Sequence, residues 1–292
     1  MKRLYAALAA TLLICLSAGA QVYSPFNRTH PTPPRVPEYV EFGGDTVWLN
    51  TLDRYERMDR EFSAFTYSHT NSTLILKRSK RYFSIVEPIL KENGVPDDLK
   101  YIMVIESLLN PKAVSVAKAA GIWQFMEGTA RGYGLEITAE VDERYNVEKE
   151  TVAACKMLKN LYRKYGDWMT AAAAYNCGPG NVDKRLAAQH QKCAMDVILP
   201  EETSRYMFRL LTAKLFCEDP LAFGFNVKES EMYPLLEVRE RITVASNIED
   251  LVEFAEKHGT TYYRLKEANP WLRDVTHSVK PGKTYEIIIP DY

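Results

Sequence analysis

"YIMVIESLLNPKAVSVAKAAGIWQFMEGTARGYG", residues 101–134, sets one carboxylate, Glu106, in an otherwise apolar, small-residue stretch. Burying a charge is costly unless something compensates it. The spacing predicts a helix from about Pro96 to Leu109. On that helix Leu99, Ile102, Met103 and Leu109 stand three, four or seven residues from Glu106 and share its face. Desolvation on an apolar face disfavours the charged carboxylate, and the negative end of the helix dipole near Leu109 acts in the same direction. Glu106 is therefore expected to titrate above the ordinary carboxylate range. A carboxylic acid kept protonated near neutral pH can serve as a general acid toward a poor leaving group such as a sugar alkoxide. Two plainer readings stand beside this one: a glutamate turned outward, or one paired with a buried cation.

Downstream, "NPKAVS" breaks the helix and returns the chain, and "AAGIWQF" (119–125) brings small residues followed by an aromatic and an amide. Gly121 permits close backbone approach, Trp123 offers a flat apolar surface, and Gln124 carries both donor and acceptor. Such a mixture suits carbohydrate, whose apolar C–H faces are ringed by hydroxyls. A second patch, "AAAAYNCGPGNV" (171–182), ends a small-residue helix with Tyr175 and Asn176 just before the Gly178-Pro179-Gly180 turn, where polar groups at a helix end can face a cleft. From the residues alone, packing and ligand contact both remain open for each patch.

The rest of the chain sets the context. It has 292 residues, 37 basic against 38 acidic, with 46% apolar content, enough for one full core and a smaller second one. The balanced charge argues against nucleic acid as a partner. Met1 to Ala20, "MKRLYAALAATLLICLSAGA", has a Lys-Arg start, an apolar run and a small-x-small ending, the three parts of a secretory signal. An uncleaved membrane anchor, or a lipid anchor on Cys15, are the alternatives; Ile14 stands before Cys15 where a lipobox has a small residue. Export leaves Cys155, Cys177, Cys193 and Cys217 in an oxidising compartment, and Cys193 with Cys217 is the better disulfide pair because the other two sit in Ala-rich helical text. The histidines, His30, His69, His190, His258 and His277, are scattered without ligand spacing and most are expected at the surface, so neither a metal site nor a cofactor is predicted.

Residues 21–50 are broken by prolines and glycines and are expected to be a linker or a segment wrapping the core. Helical periodicity then dominates from Leu52 to about Glu218, punctuated at Gly94, Pro111 and the Gly166-Asp167 pair. After Pro220 the order becomes strand (239–244), helix ending at Gly259, helix ending at Pro270, strand (283–290). The expected fold is mainly α, with a small C-terminal βααβ unit. The domains are a signal at 1–20, an N-terminal extension wrapping the core at 21–70, a helical domain at 71–225 and the small unit at 226–292.

Four ordered blocks carry a family resemblance: "ESLLNPKAVSVAKAAGIWQFMEGTARGYGL", "VDERYNVEKETVAACKMLKNLYRKYGDW", "AAAAYNCGPGNV" and "ILPEETSRYM". In order and spacing, over roughly Arg78 to Phe223, they resemble the catalytic domain of lytic transglycosylases of the soluble-lytic-transglycosylase type, nearest the membrane-bound transglycosylase D kind. The C-terminal unit resembles a LysM peptidoglycan-binding module more distantly.

The resemblance implies a lysozyme-like helical fold holding the glycan strand of peptidoglycan, with Glu106 as the catalytic acid. Ser107, Ser115, Gln124, Met126, Tyr175 and Asn176 are implied to line the sugar subsites. It also implies a periplasmic monomer that can associate with the outer membrane. Glu127 stands where the family usually has proline, Lys118 interrupts a run of tiny residues, and "ASNIEDL" replaces the usual Gly-Asp-Thr-Leu-like turn of the LysM-like unit.

An ordinary glycosidase uses two carboxylates. The nearest candidate for a second in these blocks, "VDER" with Asp142, Glu143 and Arg144, is expected to be a structural ion pair in a loop. The resemblance implies a single-acid route to a 1,6-anhydro sugar between N-acetylmuramic acid and N-acetylglucosamine. A lysozyme-like hydrolase and a non-catalytic wall-binding protein are the competing readings.

Overall fold

A computed structural model of the chain describes residues 31–291. The predicted signal sequence and Cys15 lie outside the described residues. The chain enters through a hairpin, β1 (Tyr39–Phe42) and β2 (Asp45–Trp48), joined at Gly43-Gly44. Two long helices follow, α1 (Leu52–Tyr67) and α2 (His69–Glu92), then a 3-10 turn (Asp97–Lys100) leading into α3 (Tyr101–Ser107). After a loop come α4 (Glu127–Gly132), α5 (Val147–Tyr165), α6 (Trp168–Cys177), α7 (Pro179–Ala188) and α8 (Glu201–Glu218). The C-terminal unit is β3 (Val238–Val244), α9 (Leu251–Lys257), α10 (Tyr262–Ala268) and β4 (Tyr285–Pro290), its two strands antiparallel. The mainly α architecture and the βααβ order are those expected from the sequence.

Local chemistry explains the helix ends. Gly166 closes α5 in the left-handed region at φ 69°, and Asp167 then caps α6 by accepting from the Met169 and Thr170 amides. Asn146, Asp250 and Thr261 cap α5, α9 and α10 in the same way. The helical core packs α1 and α3 against α8, and α6 against α5, α7 and α8. Leu99, Ile102, Met103 and Leu109, the predicted apolar companions of Glu106, are all fully buried there. Each such burial contributes about 1.5–3 kcal/mol. A second apolar cluster joins Leu251, Leu265, Trp271, Ile287 and Ile289 of the C-terminal unit to Ala120, Val141 and Tyr145 of the helical body.

Several expectations are corrected. Residues 39–48, expected to hold no regular element, form the hairpin, because Gly43 supplies positive φ at its turn while Val40, Phe42 and Val47 face the core. The helix expected from about Pro96 is a 3-10 turn followed by only seven α-helical residues. Trp123 is fully buried, its indole N–H donating to Thr151 Oγ1 at 2.9 Å, so it offers no surface to a ligand. Cys193 and Cys217 are free thiols; the Cys193 Sγ lies 3.4 Å from Asp167 Oδ2, and Cys217 sits on α8, with burial holding its thiol well up in pKa. Most of the histidines are expected at the surface, but His277 is completely buried, edge-on to the rings of Trp271 and Tyr285.

Candidate active site

Glu106 occupies the last turn of α3, and the chain leaves that turn by an unusual route. Leu108 and Leu109 both take the left-handed region, at φ 54° and 57°, which costs about 1–2 kcal/mol per non-glycine residue. The bonds that hold the exit run from the Leu109 amide to the Met103 carbonyl and from Arg78 to the Leu108 carbonyl at 2.9 Å. Lys118 and Gln124 are also left-handed, so the strained non-glycine backbone of the described residues gathers around this one loop, with His190 the exception. Such clustering marks functional sites.

The loop after α3 folds onto Glu106's helix through backbone bonds. Ser107 Oγ lies 2.8 Å from the Ile122 carbonyl and 3.0 Å from that of Met103. Ser107 is thus buried and spent on joining helix to loop. Glu150 on α5 is wholly buried and accepts from the Ile122 and Trp123 amides, each at 2.9 Å. Burial pushes the Glu150 carboxyl well above the usual range despite those two bonds. Gly121 makes this approach possible: at φ 89°, a Cβ there would stand 1.9 Å from the Arg144 carbonyl and 2.3 Å from Glu150 Oε1.

Gln124 donates Nε2 to the carbonyls of Gly121 at 2.8 Å and Ala113 at 3.1 Å, so its amide braces the loop that carries it. Ser115 Oγ accepts from the Ala119 amide in the turn of the same loop. Met126 is exposed at the start of α4. Tyr175 on α6 donates to the Trp123 carbonyl at 2.7 Å and stacks edge-on against Phe125. Asn176 Oδ1 accepts from Thr203 Oγ1 on α8 at 2.9 Å.

The group that touches Glu106 itself was not singled out from the sequence. Tyr206, in the block "ILPEETSRYM", donates its hydroxyl to Glu106 Oε1 at 2.8 Å. Burial raises Glu106 to about 7; the Tyr206 bond and the nearby Arg209 charge pull it back, and Glu202 adds a small push upward. Burial also holds the Tyr175 and Tyr206 phenols well above their usual range, so both are neutral. The arrangement is a carboxylic acid raised to about 7 and hydrogen-bonded to a neutral phenol, Tyr206: it can give a proton and take one back.

Of the "VDER" acids, Asp142 makes the expected pair with Arg144, whereas Glu143 pairs outside the cluster. Asp142 receives Arg144 bidentately, at 2.7 and 3.0 Å, and Glu143 accepts the Glu136 amide at 2.8 Å and pairs with Lys149.

Residues 84–197 match the family model of the Transglycosylase SLT domain, and residues 240–292 match that of the soluble lytic transglycosylase C-terminal LysM-like domain. The membrane-bound lytic murein transglycosylase D of Escherichia coli K12 is 29% identical over 68% of this chain and 44% of its own length. The chain thus spans under half of that relative. The peptidoglycan transglycosylase gp16 of Escherichia phage T7 is 35% identical over 44% of this chain and 10% of its own. Among solved structures, the 70-kDa soluble lytic transglycosylase of Escherichia coli aligns over 61% of this chain and 33% of its own at 18% identity, with a TM-score of 0.41.

Proposed function

We propose that this chain, which carries a transglycosylase SLT domain followed by a LysM-like domain, is a peptidoglycan lytic transglycosylase with Glu106 as its single acid and base. The observation that carries the reading is Glu106 itself: a carboxyl raised to about 7 by burial, at a strained helix end, hydrogen-bonded to Tyr206. In its acid form it protonates the glycosidic oxygen between N-acetylmuramic acid and N-acetylglucosamine as the C1–O bond breaks. The substrate's acetamido group stabilises the oxocarbenium-like centre. The muramoyl 6-hydroxyl then attacks C1 and returns its proton to the Glu106 carboxylate. The product is a 1,6-anhydro sugar, and no water is consumed.

Support for a single acid comes from three other carboxylates of the same sequence blocks, which are engaged elsewhere. Glu150 is buried under two backbone amides, Asp142 is held by Arg144, and Glu143 is held by Lys149. In this reading Ser115, Gln124, Met126 and Asn176 border the sugar subsites, while Ser107 and Tyr175 hold the loop that forms them. The same reading includes export to the periplasm, action as a monomer on glycan strands, and association with the outer membrane. No helix among the described residues is long and apolar enough to cross a membrane.

Mass spectrometry of digested peptidoglycan tests the product. Anhydro ends lack one water relative to reducing ends, so the expected digest carries anhydromuramoyl termini. Reducing ends would make the protein a hydrolase, and an undigested sacculus that still sediments with the protein would make it a wall-binding protein.

A further inference from the structure

The LysM-like unit is not a tethered appendage: the long loop between α10 and β4 is spent on the helical body. The Trp271 carbonyl accepts the Asp142 amide at 2.9 Å, and the Arg273 amide donates to the Glu140 carbonyl at 2.7 Å. Glu140's carboxylate receives Thr276 Oγ1 at 3.0 Å and the Ser278 amide at 2.7 Å. Glu136, almost fully buried, takes Lys280 at 2.5 Å, Lys283 at 2.6 Å and the Tyr285 hydroxyl at 2.9 Å. The Arg273 guanidinium lies over the Tyr145 ring, 4.3 Å from its centroid. Residues 136–145 are therefore a strap with the C-terminal unit clamped on one side.

On its other side the strap holds the active-site loop. Arg144, fixed to Asp142 by two parallel bonds, extends Nη1 to the carbonyls of Lys118 at 3.1 Å and Phe125 at 3.3 Å. Those carbonyls flank the turn of Ala120 and Gly121, whose Ala120 amide bonds the Phe125 carbonyl as well. Ala120 also packs into the C-terminal unit's own apolar cluster. The guanidinium fork reaches one carboxylate and two carbonyls at once, which an ammonium group cannot match in geometry.

We propose that Arg144 is a positioning residue for the loop at residues 113–125, and that the docked C-terminal unit keeps this loop in its working geometry by clamping the strap that carries Arg144. The inference rests on the activity proposed above. The unit then contributes to turnover without reaching the reacting sugar, because misplacing a catalytic constellation by about 1 Å can cost as much as ~100-fold in rate.

Two variants of the full chain test it: Arg144→Lys, which keeps the charge beside Asp142, and Glu140→Ala, which removes the carboxylate that holds Thr276 and Ser278. Each is assayed for kcat and KM on soluble glycan strands, and amide hydrogen exchange is followed at Ala120, Gly121 and Phe125. Both variants are expected to lose about tenfold or more in kcat with KM within about twofold, and to exchange faster in the loop while α5, α6 and α8 keep wild-type protection. Wild-type kcat and wild-type loop exchange in either variant would overturn the inference, as would a rate loss accompanied by faster exchange throughout the helical core. If the wild-type chain turns over no glycan, the proposed activity fails, and loop exchange alone decides whether the clamp exists.

Discussion

The Tyr206 hydroxyl meets Glu106 Oε1 at 2.8 Å across a sequence separation of 100 residues, tying the second turn of α8 to the last turn of α3. That bond favours the ionised carboxylate and partly offsets the burial that favours the acid. Since the first chemical step needs the acid, kcat/KM is expected to fall as pH rises through about 7. A hydrogen bond to a charged group is worth about 1.5 kcal/mol at the low end, and about 1.36 kcal/mol moves a pKa by one unit. Tyr206→Phe should therefore shift the alkaline limb upward by about one unit. A pH–rate profile measured on both proteins checks this, and an unmoved limb would separate Tyr206 from the titration of Glu106.

Glu106→Gln removes the transferable proton and keeps the side chain's size and polarity. Turnover is expected to drop by about 100-fold or more, the range of general acid catalysis. Glu106 titrates above its unfolded value, so its ionised form costs stability as pH rises from about 4.5 through about 7. The variant's melting temperature should match the wild type's below about pH 4 and exceed it at pH 8. Thermal melts at the two pH values, beside the activity assay, distinguish loss of chemistry from loss of fold.

Gly121→Ala should be among the most damaging small substitutions in the chain. Its Cβ would meet the Arg144 carbonyl at 1.9 Å and Glu150 Oε1 at 2.3 Å, and the backbone holds φ 89°. Overpacking costs about 1–3 kcal/mol and left-handed strain about 1–2 kcal/mol, so a loss of about 3 kcal/mol in unfolding free energy is expected. Gly134→Ala is the control: it too has positive φ, but its Cβ would meet nothing within 4 Å. Denaturant unfolding should find the first variant much the weaker.

What could be read from the sequence was what short-range chemistry decides. The spacing of Leu99, Ile102, Met103 and Leu109 fixed which way Glu106's pKa would move, because neighbours on one helical turn determine desolvation. Asp167 and Gly166 marked a helix boundary because caps act within a few residues. Tyr206 was invisible as Glu106's partner, since the bond depends on how α8 packs on α3. Glu150 was equally hidden: its partners are the backbone amides of Ile122 and Trp123, which have no residue signature. The hairpin at 39–48 escaped because two four-residue strands are too short to show a period among prolines. Trp123 looked like a sugar platform, but the turn at Gly121 aims it inward.

His277 offers a last test, in the C-terminal unit. It is fully buried, both ring nitrogens lack partners, and the rings of Tyr285 and Trp271 lie 4.4 and 5.8 Å away. Burial lowers its pKa, and the neighbouring Glu140 and Glu136 offset this only in part. A histidine whose folded pKa lies below the unfolded value of about 6.5 supports the fold fully above that pH, and its support is lost as pH falls below it. Glu136, lowered to about 2 because its lysine and tyrosine bonds outweigh burial, loses its contribution only below about 4.5, outside this window. Glu106 and Glu150, both raised, gain stability on acidification and mask the effect in the wild type alone. The informative quantity is the difference between wild type and His277→Phe, which cancels the two glutamates. The phenylalanine variant should be at least as stable at pH 8, since it removes two unpaired buried nitrogens, and its advantage should grow from pH 7 to pH 5. Melting temperatures across that range decide it; an advantage independent of pH would mean that His277 charges as readily in the folded protein as in the unfolded chain.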